Sequence, residues 1–193
     1  MSSEGANPRD RILATAARLF NTHGYPNTGV NLIVAEASAA RASFYDYFPS
    51  KEALGVAYLR SYGEENLTLL KTLMQRHPEP QEFLRAWTMI LKRQARQGMT
   101  GCPMANLVAQ VGDTAPTLTS DAQSMATRTI VTLTEYLDRA QENGQWKTKR
   151  PTSSIARQLF AAYEGVMQLW RLTGKAAALD DLLEMGTSIL DRN

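Results

Sequence analysis

Apolar residues recur at three- and four-residue spacing along nearly the whole chain, and period-two alternation is absent. That pattern predicts helices throughout. The first clear stripe is Ile12, Leu13, Ala16, Leu19 and Phe20. It predicts a helix over 8–23, with Asn7 as cap, Pro8 in the first turn and Gly24 as stop. Two short helices follow, over 28–37 and 40–47, with only Ser38 and Ala39 between them. Pro49-Ser50-Lys51-Glu52 opens a long fourth helix that Ser50 caps and that runs to about Gln75, where His77-Pro78-Glu79-Pro80 breaks it. The remaining helices are expected over 81–97 (ended by Gly98–Gly101), 103–112, 117–143 (ended by Gly144), 152–173 and 176–191. The fold class is therefore all-α, with about nine helices. Residues 1–48 form one region of three short helices, and residues 49–193 form a bundle of longer ones.

The pair of short helices with a tight turn has the makings of a helix-turn-helix. Ile33, Ala35 and Ala37 are small or apolar on the first helix of the pair, and Phe44 and Phe48 anchor the second at i and i+4. Arg41, Ser43, Tyr45 and Tyr47 are left for the outer face. A short helix carrying one Arg and three hydroxyls suits the major groove, where Arg reads a guanine edge and hydroxyls anchor phosphates.

Composition narrows the picture mainly by exclusion. The 193 residues contain one cysteine, Cys102, so no intrachain disulfide forms, as suits a reducing cytosol. Two histidines and one cysteine are too few for most His/Cys metal sites, so no metal and no cofactor are expected. No Ser/His/Asp set, phosphate loop or carboxylate pair stands out, which argues against an enzyme. No apolar run approaches a membrane span and the first residues lack a signal-peptide core, so a cytoplasmic location and no membrane partner are expected. The net charge of +2 says nothing about nucleic acid. Within residues 1–52 the bases Arg9, Arg11, Arg18, Arg41 and Lys51 are balanced by Glu4, Asp10, Glu36, Asp46 and Glu52. Any recognition there rests on a few placed groups.

The stretches RILATAARLFNTHGYPNTGVNLIVAEA and SFYDYFPSKEAL, at their spacing here, resemble the TetR/AcrR family of transcriptional regulators. The likeness is close over roughly the first 55 residues and loose in the order and lengths of later helices. It implies a regulator, most often a repressor, that binds a near-palindromic double-stranded operator as a homodimer and is released by a small-molecule effector. It also implies roles for single residues. Thr28 and Asn31 would contact phosphates beside the positioning helix. Arg41, Ala42, Ser43, Tyr45 and Tyr47 would face the operator, and Lys51 would grip a phosphate. The turn departs from the family pattern of Gly, an aliphatic residue and then Ser or Thr, with Ser38, Ala39 and Ala40 in those places. A non-Gly residue in a left-handed turn costs about 1 kcal/mol, and Ala40 cannot cap the next helix as Ser or Thr would. One alternative has Ser38 capping a recognition helix that starts slightly early. A helical partner-binding regulator with weak or lost DNA affinity is the competing function.

In the bundle, Phe83, Trp87, Met104, Tyr163, Met167 and Trp170 supply an apolar and aromatic set, with Asn106 and Gln110 as polar contacts. Two readings stand: a pocket for an apolar effector, or plain core. Cys102 precedes Pro103 and falls at a helix N-cap, where the helix dipole favours a thiolate. It reads either as a sensor of electrophiles, as the resemblance to a subgroup with a similar Gly-Cys…Asn block implies, or as a small residue filling a gap. The last two helices are apolar on more than one face, which suggests a second buried face against a partner copy. Ala161, Ala162, Gly165 and Gly186 would allow close crossing, and the family resemblance makes this the homodimer interface.

Overall fold

The computed structural model describes residues 7–96 and 101–192, apart from the side chain of Asp113. Among them are nine α-helices: α1 (Pro8–His23), α2 (Val30–Glu36), α3 (Arg41–Tyr47), α4 (Lys51–Arg76), α5 (Pro80–Arg96), α6 (Pro103–Val111), α7 (Pro116–Glu142), α8 (Thr152–Thr173) and α9 (Asp181–Asp191). The all-α expectation holds. The proposed stop at Gly98–Gly101 lies mostly outside the described residues. The expected last helix over 176–191 divides, because Ala176–Leu179 forms a 3₁₀ turn that buries Leu179 before α9 begins. No helix among the described residues is long and apolar enough to cross a membrane.

The chain forms two compact units. The first joins Met1–Gly63 to Pro103–Gln123, and the second joins Glu64–Cys102 to Ser124–Asn193. These units differ from the simple division at residue 48, since the first takes in the start of α4, all of α6 and the start of α7.

In the first unit the local rules act as the sequence suggests. The Asn7 side chain accepts a hydrogen bond from the Arg9 amide at 3.1 Å, and Ser50 Oγ accepts one from the Ala53 amide at 3.0 Å. Gly24, at φ +83°, ends α1. Ile12, Ala16, Leu19 and Phe20 are buried with Ile33 of α2 and Phe44 of α3. The Phe20 ring lies 5.0 Å from Tyr25 and 5.7 Å from Tyr58, centroid to centroid. Gly55 lets α4 be approached closely: a Cβ there would sit 3.0 Å from Leu118 Cδ2 and 3.0 Å from Tyr25 Cε2.

The second unit is built on a file of rings. Phe83 and Trp87 of α5 stack at 5.6 Å, Trp87 stacks on Tyr163 of α8 at 5.1 Å, and Phe83 meets Tyr136 of α7 at 5.0 Å. The Tyr136 hydroxyl, its pKa raised chiefly by burial, donates to the His77 carbonyl at 2.8 Å. The α5–α9 crossing depends on Gly186, where an added Cβ would fall 2.5 Å from Leu84 Cδ2.

Candidate nucleic-acid interface and effector region

The turn and α3 owe their geometry to a buried anchor and an exposed face. Phe44 is fully buried and Phe48 nearly so, their centroids 6.0 Å apart. Side chains on the opposite side of a seven-residue helix must then point out. Arg41 and Ala42 are exposed, Ser43 is half-buried, and Tyr45 and Tyr47 are 46% and 41% exposed. The Arg41 guanidinium lies 5.8 Å from the Tyr45 ring centroid, one helical turn away. That contact limits the rotamers of the one cation on this face. Asn31, exposed on α2, adds an amide.

Two expected phosphate contacts are modified. Thr28 is fully buried, and its hydroxyl donates to the carbonyls of Gly24 at 2.8 Å and Leu19 at 3.3 Å. It closes the α1–α2 corner and has no hydroxyl to offer a phosphate. Lys51 is half-buried, with Nζ 4.3 Å from the Tyr25 ring centroid and 3.4 Å from the Pro26 carbonyl that accepts its proton. Desolvation lowers its pKa. The ammonium is thus held at the start of α4 rather than free in solvent.

The turn corrects another expectation. Ser38 does not cap an early α3. It takes the left-handed conformation itself, at φ +49°, and α3 starts at Arg41 with Ala40 as an N-cap that makes no side-chain hydrogen bond. Arg11 of α1 donates to the carbonyls of Ala37 and Ser38. Its role rests on a contact 26 residues away, which no local pattern reveals.

The expected ligand residues are divided between the units. Phe83, Trp87, Cys102, Tyr163, Met167 and Trp170 belong to the second and are all buried. Phe83, Trp87 and Tyr163 come together, but as the stacked rings that fill its interior. Met104, Asn106 and Gln110 of α6 belong to the first unit. Met104 and Asn106 are buried there, and the Gln110 side-chain oxygen accepts the Tyr25 amide at 2.8 Å. That bond ties α6 to the corner after α1, so Gln110 acts as a brace in this structure.

Cys102 is fully buried immediately before α6. Its thiol hydrogen-bonds the Glu164 carboxyl on α8, whose pKa burial raises despite that bond. Nothing in the sequence pairs these two residues, since they lie 62 positions apart. The second unit also carries an open cleft of about 470 Å³, lined by Lys71, Gln75, Glu135, Arg139, Asn143 and Gln145 over Met74 and Tyr136. It holds more polar groups than the buried aromatic set. Among the described residues no group of three or more His, Cys, Asp or Glu could hold a metal ion.

The outward faces of α8 and α9 differ from that of α3. Ala161, Gly165, Leu169 and Leu172 share one side of α8 and are exposed, Leu172 at 82%. Met185 of α9 is 45% exposed. Ala162 and Gly186 do not join this face: both are buried, and Gly186 serves the α5 crossing. Met167, also fully buried, is core.

Residues 12–58 match the family model for bacterial regulatory proteins of the tetR family. Residues 81–185 match that for the tetracyclin repressor-like C-terminal domain. The HTH-type transcriptional repressor NemR of Escherichia coli K12 is 30% identical over 138 residues, covering 70% of this chain and 69% of that protein. The HTH-type regulator YxaF of Bacillus subtilis 168 is 33% identical over 116 residues, which span 57% of this chain and 59% of that protein's length. The crystal structure of E. coli NemR in its reduced form superposes with a TM-score of 0.83 at 25% identity, covering 95% of this chain and 97% of that one. SCO4454 of Streptomyces coelicolor shares the fold, with a TM-score of 0.83 at 24% identity over 95% of this chain and 94% of that one. Two family domains in sequence, a helix-turn-helix with an exposed polar α3 and an all-helical remainder place this chain in the TetR family of non-enzymatic, DNA-binding transcriptional regulators.

Proposed function

We propose that this regulator is a repressor that binds a near-palindromic operator as a homodimer and leaves it when a small apolar or electrophilic effector binds. DNA contact is assigned to residues 1–48 together with Lys51, and effector and partner binding to 49–193. The observation that carries the DNA assignment is the α3 face, where Arg41, Tyr45 and Tyr47 stand exposed on a buried Phe44–Phe48 anchor. Arg41 suits a guanine edge, and the tyrosine hydroxyls and Asn31 suit phosphates.

The dimer is assigned to the α8 and α9 faces. A surface helix in water gains nothing by exposing Leu169 and Leu172, and burial against the same face of a second copy removes that area from water. Ala161 and Gly165 are small enough for the helices to cross closely. A two-fold dimer of this kind sets its recognition helices about 34–36 Å apart.

Cys102 is assigned to electrophile response. Alkylation would form a bond from Sγ to the electrophile's carbon as the S–H bond breaks; with iodoacetamide the C–I bond breaks, iodide leaves and the proton passes to solvent, and the added group would bring bulk where the structure leaves none. The cleft beside Lys71 and Arg139 supports a second reading, in which the effector is polar and the aromatic set is only core.

The test starts with selection of duplexes from a random-sequence pool, followed by titration of the selected duplex at several salt concentrations. Sequence-selective, salt-dependent binding by a dimer is expected, and release after iodoacetamide treatment that is lost in Cys102→Ser. Enrichment of no sequence would leave the partner-binding alternative in its place. A monomer in sedimentation at micromolar concentration would remove the α8–α9 assignment.

A further inference from the structure

Neither end of the α2–α3 turn is held by its own side chains. α2 finishes in a Schellman pattern, with the Ala39 amide donating to the Val34 carbonyl at 3.0 Å and the Ser38 amide to the Ala35 carbonyl at 3.2 Å. That pattern needs a left-handed residue at position 38, and Ser38 supplies it at φ +49°. Glycine adopts this conformation freely, whereas any side chain crowds the backbone there. On the far side of the turn Ala40 leaves the first amides of α3 without a side-chain cap.

Arg11 meets this need from α1. Its Nε donates to the Ala37 carbonyl at 3.3 Å and its Nη2 to the Ser38 carbonyl at 3.4 Å. The two acceptors lie in the successive peptides on either side of the Ser38 Cα, so holding both restrains the φ and ψ of the left-handed residue between them. A guanidinium is suited to this, because its donors are rigidly forked and its charge complements the negative end of a helix. Arg18 of α1, ion-paired to Glu36, holds the last residue of α2 just before the turn.

We propose that Arg11 is the positioning residue for the recognition helix: it holds Ser38 in the left-handed turn and so sets the angle at which α3 leaves α2. It does for this chain what glycine does by lacking a side chain. Arg11 acts through α3 and not by touching bases. The inference rests on the assignment of α3 as the DNA-reading helix.

The variants are Arg11→Ala, Arg11→Lys, Ser38→Gly and the double Arg11→Ala/Ser38→Gly, with folding checked by circular dichroism. The probes are a duplex that the parent chain selects from a random pool and a duplex of unrelated sequence. Arg11→Ala is expected to weaken the selected duplex about tenfold and the unrelated one less than about twofold. Arg11→Lys, which keeps the charge but loses the fork, should follow Arg11→Ala on the selected duplex. The double variant should return to within about threefold of Ser38→Gly alone. Without DNA, exchange of the Ala39 amide should rise about tenfold in Arg11→Ala and fall back in the double. Equal loss on both duplexes would make Arg11 a simple charge contact and overturn the proposal. So would a loss that Ser38→Gly does not relieve, or unchanged exchange at Ala39. If the parent enriches no duplex, the DNA assignment fails, and the exchange measurement still decides whether Arg11 holds the turn.

Discussion

The outward face of α3 and the outward faces of α8 and α9 are made by the same rule with opposite content. In each case a helix buries what its own unit needs and turns the remainder out. On α3 the buried part is Phe44, with Phe48 just beyond its end, and the remainder is one arginine, two tyrosines and small or polar residues. On α8 the buried part is Ile155, Leu159, Tyr163, Met167 and Trp170, and the remainder still includes Leu169 and Leu172. A polar remainder on a short helix suits a charged, hydrated groove. An apolar remainder on a long helix suits a partner that is itself apolar. Near-neutral charge in the first 52 residues makes the contrast sharper, because attraction for DNA must come from the placement of a few groups.

The largest expected effect breaks the anchor under α3. Phe44→Ala should destabilise the first unit by about 3–5 kcal/mol, measured as a lowered denaturant midpoint, since it empties a fully buried site. An equal midpoint would mean that α3 does not depend on its buried side. The counterpart in the second unit is Gly186→Ala, which pushes a Cβ into Leu84, itself 1% exposed. Overpacking there should cost about 1–3 kcal/mol, visible in the same assay.

The next pair sharpens the polar face. Arg41→Ala should lose about 1–3 kcal/mol of discrimination between the selected duplex and a single-base variant, with little change in binding to unrelated DNA. Lys51→Ala should weaken all duplexes alike and reduce the salt slope by about 1. Identical behaviour of the two variants would remove the distinction between reading and gripping.

The smallest effect concerns Glu164. Burial raises its pKa above the ordinary 4.5, so the folded state binds that proton more tightly than the unfolded chain does. Stability from this group is present at low pH and is lost as the pH rises through the raised folded value. Glu164→Gln removes the dependence, so the melting temperature of the variant relative to the parent should improve as the pH rises above the ordinary value of 4.5. A difference that stays flat with pH would show that the carboxyl is solvated.

Much of the fold is legible in the chain because helix limits are local chemistry. Asn7 and Pro8, Gly24, Ser50, the Pro78–Pro80 break and Gly144 each act within a few residues of where they stand, so the helix ends follow them closely. The amphipathic stripe of α1 likewise separates inside from outside without further information. The α3 face was legible for the same reason, since the period of a seven-residue helix assigns Phe44 inward and its neighbours outward.

What stayed hidden were the contacts between distant positions. Thr28 looks like a free hydroxyl in sequence, and only the fold shows it spent on the carbonyls of Gly24 and Leu19. Gln110 looks like a ligand contact and is a brace on Tyr25. Gly186 looks like a helix-crossing residue for a partner and is one for α5. Local composition and periodicity determined the helices, their order and the polar face of α3, because those depend on neighbours in sequence. Tertiary structure alone decided which polar groups are already satisfied, which small residues are already used, and that Arg11 reaches the turn at Ser38, because a hydrogen bond or a close approach depends on where the chain returns in space.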